Sequence, residues 1–373
     1  MNCFFKKIYI DGLFYKGAGI GRYYESLVKG LAEKGIKIYT CVPREFEDSF
    51  KQDFKNYLKN IVPIYVDYKK FSLKGFWSQG AILKNLEKEV CVFHFPHVNL
   101  PFYLPKNLVV TIHDLCPLTK FWDRGYFRRK IFEWHCKRAI EKSKKIVTAS
   151  ESSKKEIVNV YPACDAKIKV IYSFVDEKFL RNKDFYRKKR LIKDDYILFV
   201  GNRKKHKNLS RLIFAFKQVK NEFPDLKLVI AGKKDSEIDE VDLLKNKLNL
   251  GGEIIEIISP DDEKVINLYS YAKIFIFPSL CEGFGLPPLE AIACGCPAIT
   301  SNIPVLEEVL GKNIACFNPC SVDDIADKII KALVDEKKRK RLLEEGKKRL
   351  KLYSSRDKAI NQYLELFYEV SKS

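Results

Sequence analysis

Residues 278–300 read PSLCEGFGLPPLEAIACGCPAIT and place two glutamates, Glu282 and Glu290, around a loop rich in glycine and proline. The apolar runs on either side, KIFIFPS and PAITS, have the length and composition of buried strands. A short helix over about residues 287–294 fits between them. The prolines of LPP suit its first turn, and the first glycine of CGC suits the left-handed residue just beyond its last turn. The stretch therefore predicts a strand, a loop carrying Glu282, a helix carrying Glu290 in its first turn, and a second strand.

The same alternation of strand and helix extends through both halves of the chain. In the second half, YILFVGNRKKHKN, LKLVIAGKKD and EIIEIIS each precede a helical pattern, and in the first half KKIYIDG, IKIYTCV, VCVFHFP, NLVVTIHD and KKIVTAS have the same character. This pattern is typical of parallel sheets covered by helices, and 373 residues suffice for two such domains. The charged stretch 170–195 lacks a sustained period, so we place the hinge there. Residues 335–373 read as two further helices.

The loop of residues 278–286 would leave the carboxyl end of a parallel strand, where open α/β sheets bind ligands. Gly283 and Gly285 remove side chains beside a helix N-terminus, which favours phosphate. Two carboxylates would repel a phosphate, unless each accepts hydrogen bonds from neutral hydroxyl groups. A ligand with a sugar at one end, phosphates in the middle and a ribose at the other end satisfies all of these groups. The predicted ligand is a nucleotide sugar.

A basic loop, VGNRKKHKN at residues 200–208, follows the first strand of the same half. Gly201 allows its turn, and its cations could hold the phosphates. By itself such a loop is more often a solvated basic turn. Because this loop belongs to the same module as the glutamate loop, the phosphate interpretation is favoured here. The cations are Arg203, Lys204, Lys205 and Lys207.

Four motifs together resemble the retaining glycosyltransferases of family 4, group 1, which have the GT-B fold. They are GAGIGRYYESL, TIHDL, VGNRKKHKN and EGFGLPPLE. The last, two glutamates separated by seven residues, is highly specific, whereas the others are weak singly. The resemblance covers nearly the whole chain and implies two facing Rossmann-like, doubly wound domains with an interdomain cleft. Residues 1–172 would bind the acceptor, with the C-terminal helix 356–373 crossing back to them, and residues 173–355 would bind the nucleotide sugar.

The resemblance also implies roles for individual residues. Glu282 would face hydroxyls of the donor sugar, and Glu290 would hold the ribose. Arg203 and Lys207 would bind the diphosphate, and His113 would contact the transferred sugar from the opposite domain. Further donor contacts would come from Gly19, Gly201, Phe284, Gly285 and Leu286.

The implied reaction retains the anomeric configuration, and no metal or other cofactor is expected, because cations and a helix N-terminus would stabilise the departing diphosphate. GNRKKHKN and HDL look most like the mannosyltransferases of the family. The expected donor is therefore GDP-mannose, with UDP-linked sugars left open, and the acceptor would be a hydroxyl of a glycan or lipid-linked molecule in polysaccharide or glycolipid synthesis. Alternatives on the same fold are a sugar-nucleotide epimerase or a phosphorylase.

The net charge of +20, from 68 basic and 48 acidic residues, draws the protein towards anions such as nucleic acid, an acidic membrane surface or phosphorylated substrates. A nucleic-acid-binding protein would give the two glutamates no role, so we disfavour that class. Residues 121–145 mix aromatic and basic residues at helical spacing. They predict either a helix lying against anionic lipid or a helix packed on its own domain.

The N-terminal MNCFFKKIYIDG lacks the pattern of a signal peptide, and no run of about 18 to 20 apolar residues is present. We therefore expect a cytoplasmic protein, peripheral to the membrane at most. The eleven cysteines include no C-x-x-C pair, which favours reduced thiols. Cys294 and Cys296 are expected to pack rather than bind metal, and His94 and His97 are interpreted as part of an interdomain loop.

Overall fold

The computed structural model describes residues 7–122, 125–180, 190–234 and 236–372. The chain forms two compact units. The first comprises Met1–Leu118, Arg124–Ser173 and Arg356–Ser373, and the second comprises Thr119–Asp123 and Phe174–Ser355. The hinge predicted at residues 170–195 includes residues 181–189, which lie outside the described residues.

The first unit is built on a parallel sheet of seven strands in the order β3-β2-β1-β4-β5-β6-β7. The central strands are mostly apolar because helices cover both faces of a parallel sheet. The strands are β1 (Lys7–Ile10), β2 (Lys37–Pro43), β3 (Ile61–Val66), β4 (Val92–Phe95), β5 (Leu108–Thr111), β6 (Lys145–Thr148) and β7 (Ile168–Val170).

The helices of the first unit begin and end where the local chemistry favours it. The Ser72 and Ser150 hydroxyls each accept a backbone N–H of the first turn that follows them, and Gly35 ends the first helix with a φ of +78°. The helices are α1 (Ala18–Glu33), α2 (Glu47–Asp53), α3 (Leu73–Leu86), α4 (Gly125–Lys142), α5 (Glu151–Val160) and α14 (Arg356–Lys372).

The second unit has a parallel sheet of six strands in the order β10-β9-β8-β11-β12-β13. Its strands are β8 (Tyr196–Val200), β9 (Lys227–Gly232), β10 (Ile254–Ile258), β11 (Ile274–Phe277), β12 (Ala298–Ser301) and β13 (Ala315–Phe317). Its helices are α6 (Glu177–Leu180), α7 (Leu209–Val219), α8 (Glu240–Lys247), α9 (Asp262–Tyr271), α10 (Leu286–Ala293), α11 (Pro304–Leu310), α12 (Val322–Val334) and α13 (Glu336–Leu350).

Both sheets reverse their winding direction at one position, between β1 and β4 in the first unit and between β8 and β11 in the second. All paired strands are parallel, and Ile274 and Phe275 of β11 lie opposite Ile197 and Leu198 of β8. The loops after β8 and β11 therefore leave the sheet side by side at the switch point, which is the ligand site of doubly wound folds. These loops carry the predicted cations and the first predicted glutamate.

The helix predicted at about residues 287–294 is α10, which begins one residue earlier. Pro287 and Pro288 occupy its first turn, and Gly295 follows it with a φ of +86°, as predicted. Cys294 and Cys296 are buried and packed at this helix end, which confirms the packing interpretation.

Candidate active site

The basic loop and the glutamate loop of the second unit are hydrogen-bonded to each other. The backbone N–H of Leu280 donates to the carbonyl of His206 at 2.8 Å. The buried Asn208 amide donates to the carbonyls of Pro278 at 3.0 Å and Pro319 at 2.7 Å. Asn208 has a φ of +61°, so the chain turns sharply into α7 at this residue. The two loops consequently form one continuous surface.

Lys207 and Glu282 are brought together by this arrangement. The Lys207 ammonium lies 2.5 Å from a Glu282 carboxylate oxygen and 5.0 Å above the ring of Phe277. Their side chains are 12% and 13% exposed, so both groups are mostly shielded from water yet reachable by a ligand. The site thus offers a cation for a phosphate and a carboxylate for hydroxyl groups, side by side.

Arg203, the other predicted diphosphate ligand, is engaged elsewhere. Its guanidinium lies between Asp239, at 3.1 Å, and Glu256, at 2.7 Å, and only 2% of its side chain is exposed. Burial raises the pKa of Glu256, but hydrogen bonds from Lys245 and Arg203 outweigh it and lower that pKa. The structure uses Arg203 to tie β10 to the start of α8, with a carboxylate at each terminal nitrogen, and its predicted role towards the diphosphate stays a prediction.

Gly285 is the residue on which the glutamate loop turns into α10. Its φ is +96°, and a β-carbon there would come 2.5 Å from the side chain of Leu306. Leu286 then begins the helix, and Phe284 is buried edge-on against Tyr353 at 5.3 Å between ring centres. The backbone conformation favours glycine at this position, and a β-carbon would also require the Leu306 side chain to shift.

Glu290, the second predicted glutamate, lies on α10 and is 4% exposed. The hydroxyl of Tyr269 donates to its carboxylate at 3.4 Å. The structure places Glu282 in the loop, as predicted, but Glu290 lies just beyond the first helical turn rather than within it, because α10 begins at Leu286.

Gly201 and Gly232 meet where the neighbouring strands β8 and β9 end. The Gly201 N–H donates to the carbonyl of Ala231 at 2.9 Å, and a β-carbon on Gly232 would lie 1.9 Å from the carbonyl oxygen of Gly201. Gly201 was predicted from the sequence, whereas Gly232 was not. Gly232 could have been found from the sequence, because it ends the run LKLVIAG, which a doubly wound order places in the strand next to β8.

A second feature missed by the sequence lies beside the basic loop. The indole of Trp122 stacks on the His206 ring at 5.9 Å with an angle of 18°, and the Lys204 ammonium lies 5.6 Å from the same indole. Burial, with a smaller effect from the neighbouring Lys207, lowers the pKa of His206 to about 4 against the opposing effect of Glu282, so His206 is neutral at pH 7. No local pattern could reveal this contact, because Trp122 is far from the loop in sequence.

In the first unit, His113 follows β5 and is hydrogen-bonded through Nε2 to the carbonyl of Pro96 at 3.0 Å. Since a carbonyl only accepts, Nε2 carries the hydrogen. Burial, with a smaller effect from the nearby His97, lowers the pKa of His113 to about 4 against the opposing effect of the Pro96 carbonyl. The imidazole is therefore neutral at pH 7, with Nδ1 left as the acceptor.

Gly19 is the second residue of α1, and no atom lies within 4 Å of the position that its β-carbon would take. By contrast, a β-carbon on Gly17 or Gly21 would approach the carbonyl oxygen of Phe14 within 3 Å. The predicted donor contact at Gly19 is thus sterically open, whereas its two neighbouring glycines serve the turn itself.

The interpretation of His94 and His97 as an interdomain loop is wrong. His94 lies within β4, is fully buried and bonds Thr111 at 2.8 Å, while His97 follows the strand and bonds the buried Asp11 at 2.6 Å. The Asp11 carboxylate also accepts the N–H of Leu13, which fixes the entry to the glycine-rich segment.

Within the described ranges, no cluster of three or more His, Cys, Asp or Glu side chains is arranged to hold a metal ion.

The aromatic and basic segment predicted at residues 121–145 contains α4. Its second half is packed on the first unit through His135, Cys136, Ala139 and Ile140. Its N-terminal and central turns expose Tyr126, Phe127, Ile131 and Trp134. Residues 123 and 124 lie outside the described residues. In the part of the chain that the structure covers, every helix is too short or too polar to cross a bilayer.

Two doubly wound units, each with a glycine-rich turn near its switch point, define the GT-B class of fold. Residues 17–179 match the family model described as Glycosyltransferase Family 4, and residues 182–349 match the model described as Glycosyl transferases group 1. The two models follow one another along most of the chain. The chain belongs to this family of glycosyltransferases.

Known proteins support the same placement. The O-antigen chain mannosyltransferase RfbU of Salmonella typhimurium is 33% identical over 238 residues, a match that covers 62% of this chain and 61% of that protein. Sucrose-phosphate synthase from Thermosynechococcus elongatus has a TM-score of 0.79 at 17% identity, covering 98% and 99% of the two chains. HepE from Anabaena, solved with UDP and glucose, has a TM-score of 0.75 at 15% identity and covers 98% and 100%. The structural likenesses show the shared fold, and the match to RfbU spans less than two thirds of its length.

Proposed function

We propose that the protein transfers mannose from GDP-mannose to a hydroxyl of a glycan or lipid-linked acceptor, with retention of configuration, in the synthesis of a cell-surface polysaccharide or glycolipid. The observation that carries this proposal is the Lys207–Glu282 pair at the adjoining ends of β8 and β11. Family membership supports the reaction class. The name of RfbU supports mannose, and the UDP and glucose held by HepE support a nucleotide-sugar donor in general.

In the proposed reaction, the bond from the anomeric carbon to the diphosphate breaks and its electron pair leaves with the diphosphate. Lys207 turns from Glu282 to this growing negative charge, which the N-terminus of α10 also stabilises. Glu282 is then available to accept hydrogen bonds from sugar hydroxyls, and Glu290 accepts those of the ribose.

The acceptor oxygen forms the new bond to the anomeric carbon, and its proton passes to a phosphate oxygen. His113 accepts a hydrogen bond from the transferred sugar through Nδ1. We assign Arg203 to holding the basic loop, through its two ion pairs, rather than to the diphosphate. In this proposal the charge of the leaving group is balanced without a metal or another cofactor.

The function is tested by incubating the purified protein with GDP-mannose, UDP-glucose or ADP-glucose, with and without a lipid-linked or oligosaccharide acceptor. We expect release of GDP from GDP-mannose only when an acceptor is present, and an increase in melting temperature with GDP but not with AMP. Preferential release of another nucleoside diphosphate would replace the donor assignment. Conversion of the sugar nucleotide without any acceptor would favour an epimerase and contradict transfer.

We also propose that the protein associates with the cytoplasmic face of an anionic membrane through α4. Tyr126 and Phe127 are 71% and 81% exposed, and they are followed directly by Arg128, Arg129 and Lys130. Exposed aromatic rings beside cations are typical of helices that lie in the headgroup region. A protein acting on a lipid-linked acceptor would gain from this contact.

Charge reversal of Arg128, Arg129 and Lys130 to glutamate should weaken binding to vesicles containing phosphatidylserine by roughly a hundredfold or more, because each cation near such a surface contributes about 1 kcal/mol. Cosedimentation measures this change. The matched control reverses Lys337, Lys340 and Arg341 on α13, which make the same change of net charge on another helix. Equal losses for the two triple variants would mean that only net charge matters and would contradict a specific role for α4.

A further inference from the structure

A chain of hydrogen bonds joins the C-terminal helix α14 to the strand that ends beside His113. The Tyr363 hydroxyl lies 2.6 Å from the Tyr23 hydroxyl, which lies 3.0 Å from the hydroxyl of Thr111. Thr111 in turn lies 2.8 Å from Nε2 of His94. Tyr363, Thr111 and His94 are each at most 2% exposed, whereas Tyr23 is half-buried, so most of this chain of hydrogen bonds lies away from water.

The same chain of contacts borders the His113 imidazole. The Tyr23 ring meets it edge-on, with 4.9 Å between ring centres and an angle of 87°. Thr111 is the last residue of β5, two positions before His113. Two contacts therefore hold the His113 ring. Its Nε2–H donates to the Pro96 carbonyl, and the Tyr23 ring packs against it in a T-shaped arrangement.

Tyr363 acts on this arrangement through its hydroxyl rather than through its ring. The ring stacks on His94 at 5.9 Å and contacts Phe367 at 5.8 Å, and phenylalanine would preserve both contacts. The hydroxyl is what ties the end of the Tyr23 side chain to α14. Without it, Tyr23 keeps Thr111 as its remaining hydrogen-bond partner and gains freedom to tilt against His113.

We propose that Tyr363, acting through Tyr23, is a positioning residue that fixes the His113 imidazole so that Nδ1 accepts a hydroxyl hydrogen of the transferred sugar. This inference rests on the proposed function and extends it, because it makes α14 a part of the active-site scaffold of the first unit. Burial raises the pKa of both tyrosines, so the chain is composed of neutral hydroxyls at physiological pH.

The test compares Tyr363→Phe with Tyr368→Phe in the full chain. Tyr368 lies on the same helix and is 38% exposed, so its change serves as the matched control. We expect Tyr363→Phe to lower kcat about three- to tenfold, the effect of one lost hydrogen bond, with the KM for the nucleotide sugar unchanged. The control should leave both constants unchanged.

A second readout does not depend on activity. Nitrogen-15 spectra of the histidine rings, assigned with His113→Gln, should show the Nε2–H form for His113 at pH 7, and Tyr363→Phe should shift those resonances while Tyr368→Phe does not. If Tyr363→Phe is too unstable to purify, Tyr23→Phe replaces it in both measurements, since it removes the same hydrogen bond together with the one to Thr111.

The outcomes separate the two proposals. If the wild-type protein transfers no sugar but the His113 resonances shift as expected, the proposed function fails while the positioning of His113 stands. If the wild type transfers sugar and Tyr363→Phe changes neither kcat nor the His113 resonances, the positioning role is overturned and the function stands. An Nδ1–H form of His113 would also overturn it.

Discussion

Replacement of Lys207 by alanine is expected to lower kcat for sugar transfer about a hundred- to a thousandfold, the cost of removing one preorganised group that stabilises developing charge. Lys207 lies at the switch point of the second sheet, 12% exposed and 2.5 Å from Glu282. Loss of the ammonium removes the cation that would follow the negative charge onto the diphosphate. Steady-state kinetics with GDP-mannose and a saturating acceptor measure the effect.

Lys205→Ala is the matched control, because Lys205 belongs to the same short turn but its side chain is exposed. It should change kcat by less than about threefold, the scale of a screened surface charge.

Glu282→Ala should also abolish transfer, since the partner carboxylate would face the hydroxyls of the donor sugar. Wild-type turnover by either Lys207→Ala or Glu282→Ala would remove these residues from the proposed mechanism.

Replacement of Gly232 by alanine should be the most destabilising single methyl addition in the second unit, lowering the free energy of unfolding by about 3 kcal/mol. The new β-carbon would lie 1.9 Å from the carbonyl oxygen of Gly201, and the φ of +144° at this position is rarely adopted by residues with side chains. The backbone of the loop after β8 must move to relieve the clash. Urea denaturation followed by circular dichroism measures the loss.

Gly252→Ala provides the comparison, because no atom lies within 4 Å of its β-carbon position and its φ is not in the left-handed region. Its unfolding free energy should change by no more than about 0.5 kcal/mol. The Gly232 variant should also bind GDP more weakly, since the displaced loop carries Lys207. Equal unfolding midpoints for the two alanine variants would show that the close approach of the strand ends is not a constraint.

The parallel sheets could be predicted because their buried strands are continuous apolar runs, and α10 could be predicted because its prolines and glycines have local conformational preferences. Strand β3 was not predicted, because its sequence lacks such a local signal. It contains Pro63, which removes a hydrogen-bond donor, and the strand tolerates this because it lies at the edge of the sheet. Position in the sheet is a tertiary property that the local sequence does not display.

In the candidate site, too, the features with a local signal could be predicted and the long-range contacts could not. The loops containing Lys207 and Glu282 could be located from charge, glycine content and strand order. The engagement of Arg203 could not, because its partners Asp239 and Glu256 lie 36 and 53 positions away. The stacking of Trp122 on His206 and the bond between Tyr23 and Tyr363 likewise join distant segments. Residue type predicted which groups could act, whereas long-range packing decided which of them are free to do so.

Because α14 belongs to the first unit, the order in which the two units are synthesised differs from the order in which they can be completed. A ribosome finishes the seven strands of the first sheet before it makes the first strand of the second sheet, yet it makes Ile360, Tyr363 and Phe367, which pack within the first unit, only after the second unit is complete. A nascent chain must therefore carry an unsealed apolar groove through most of its translation. The N-terminal unit becomes fully native later than the unit that follows it.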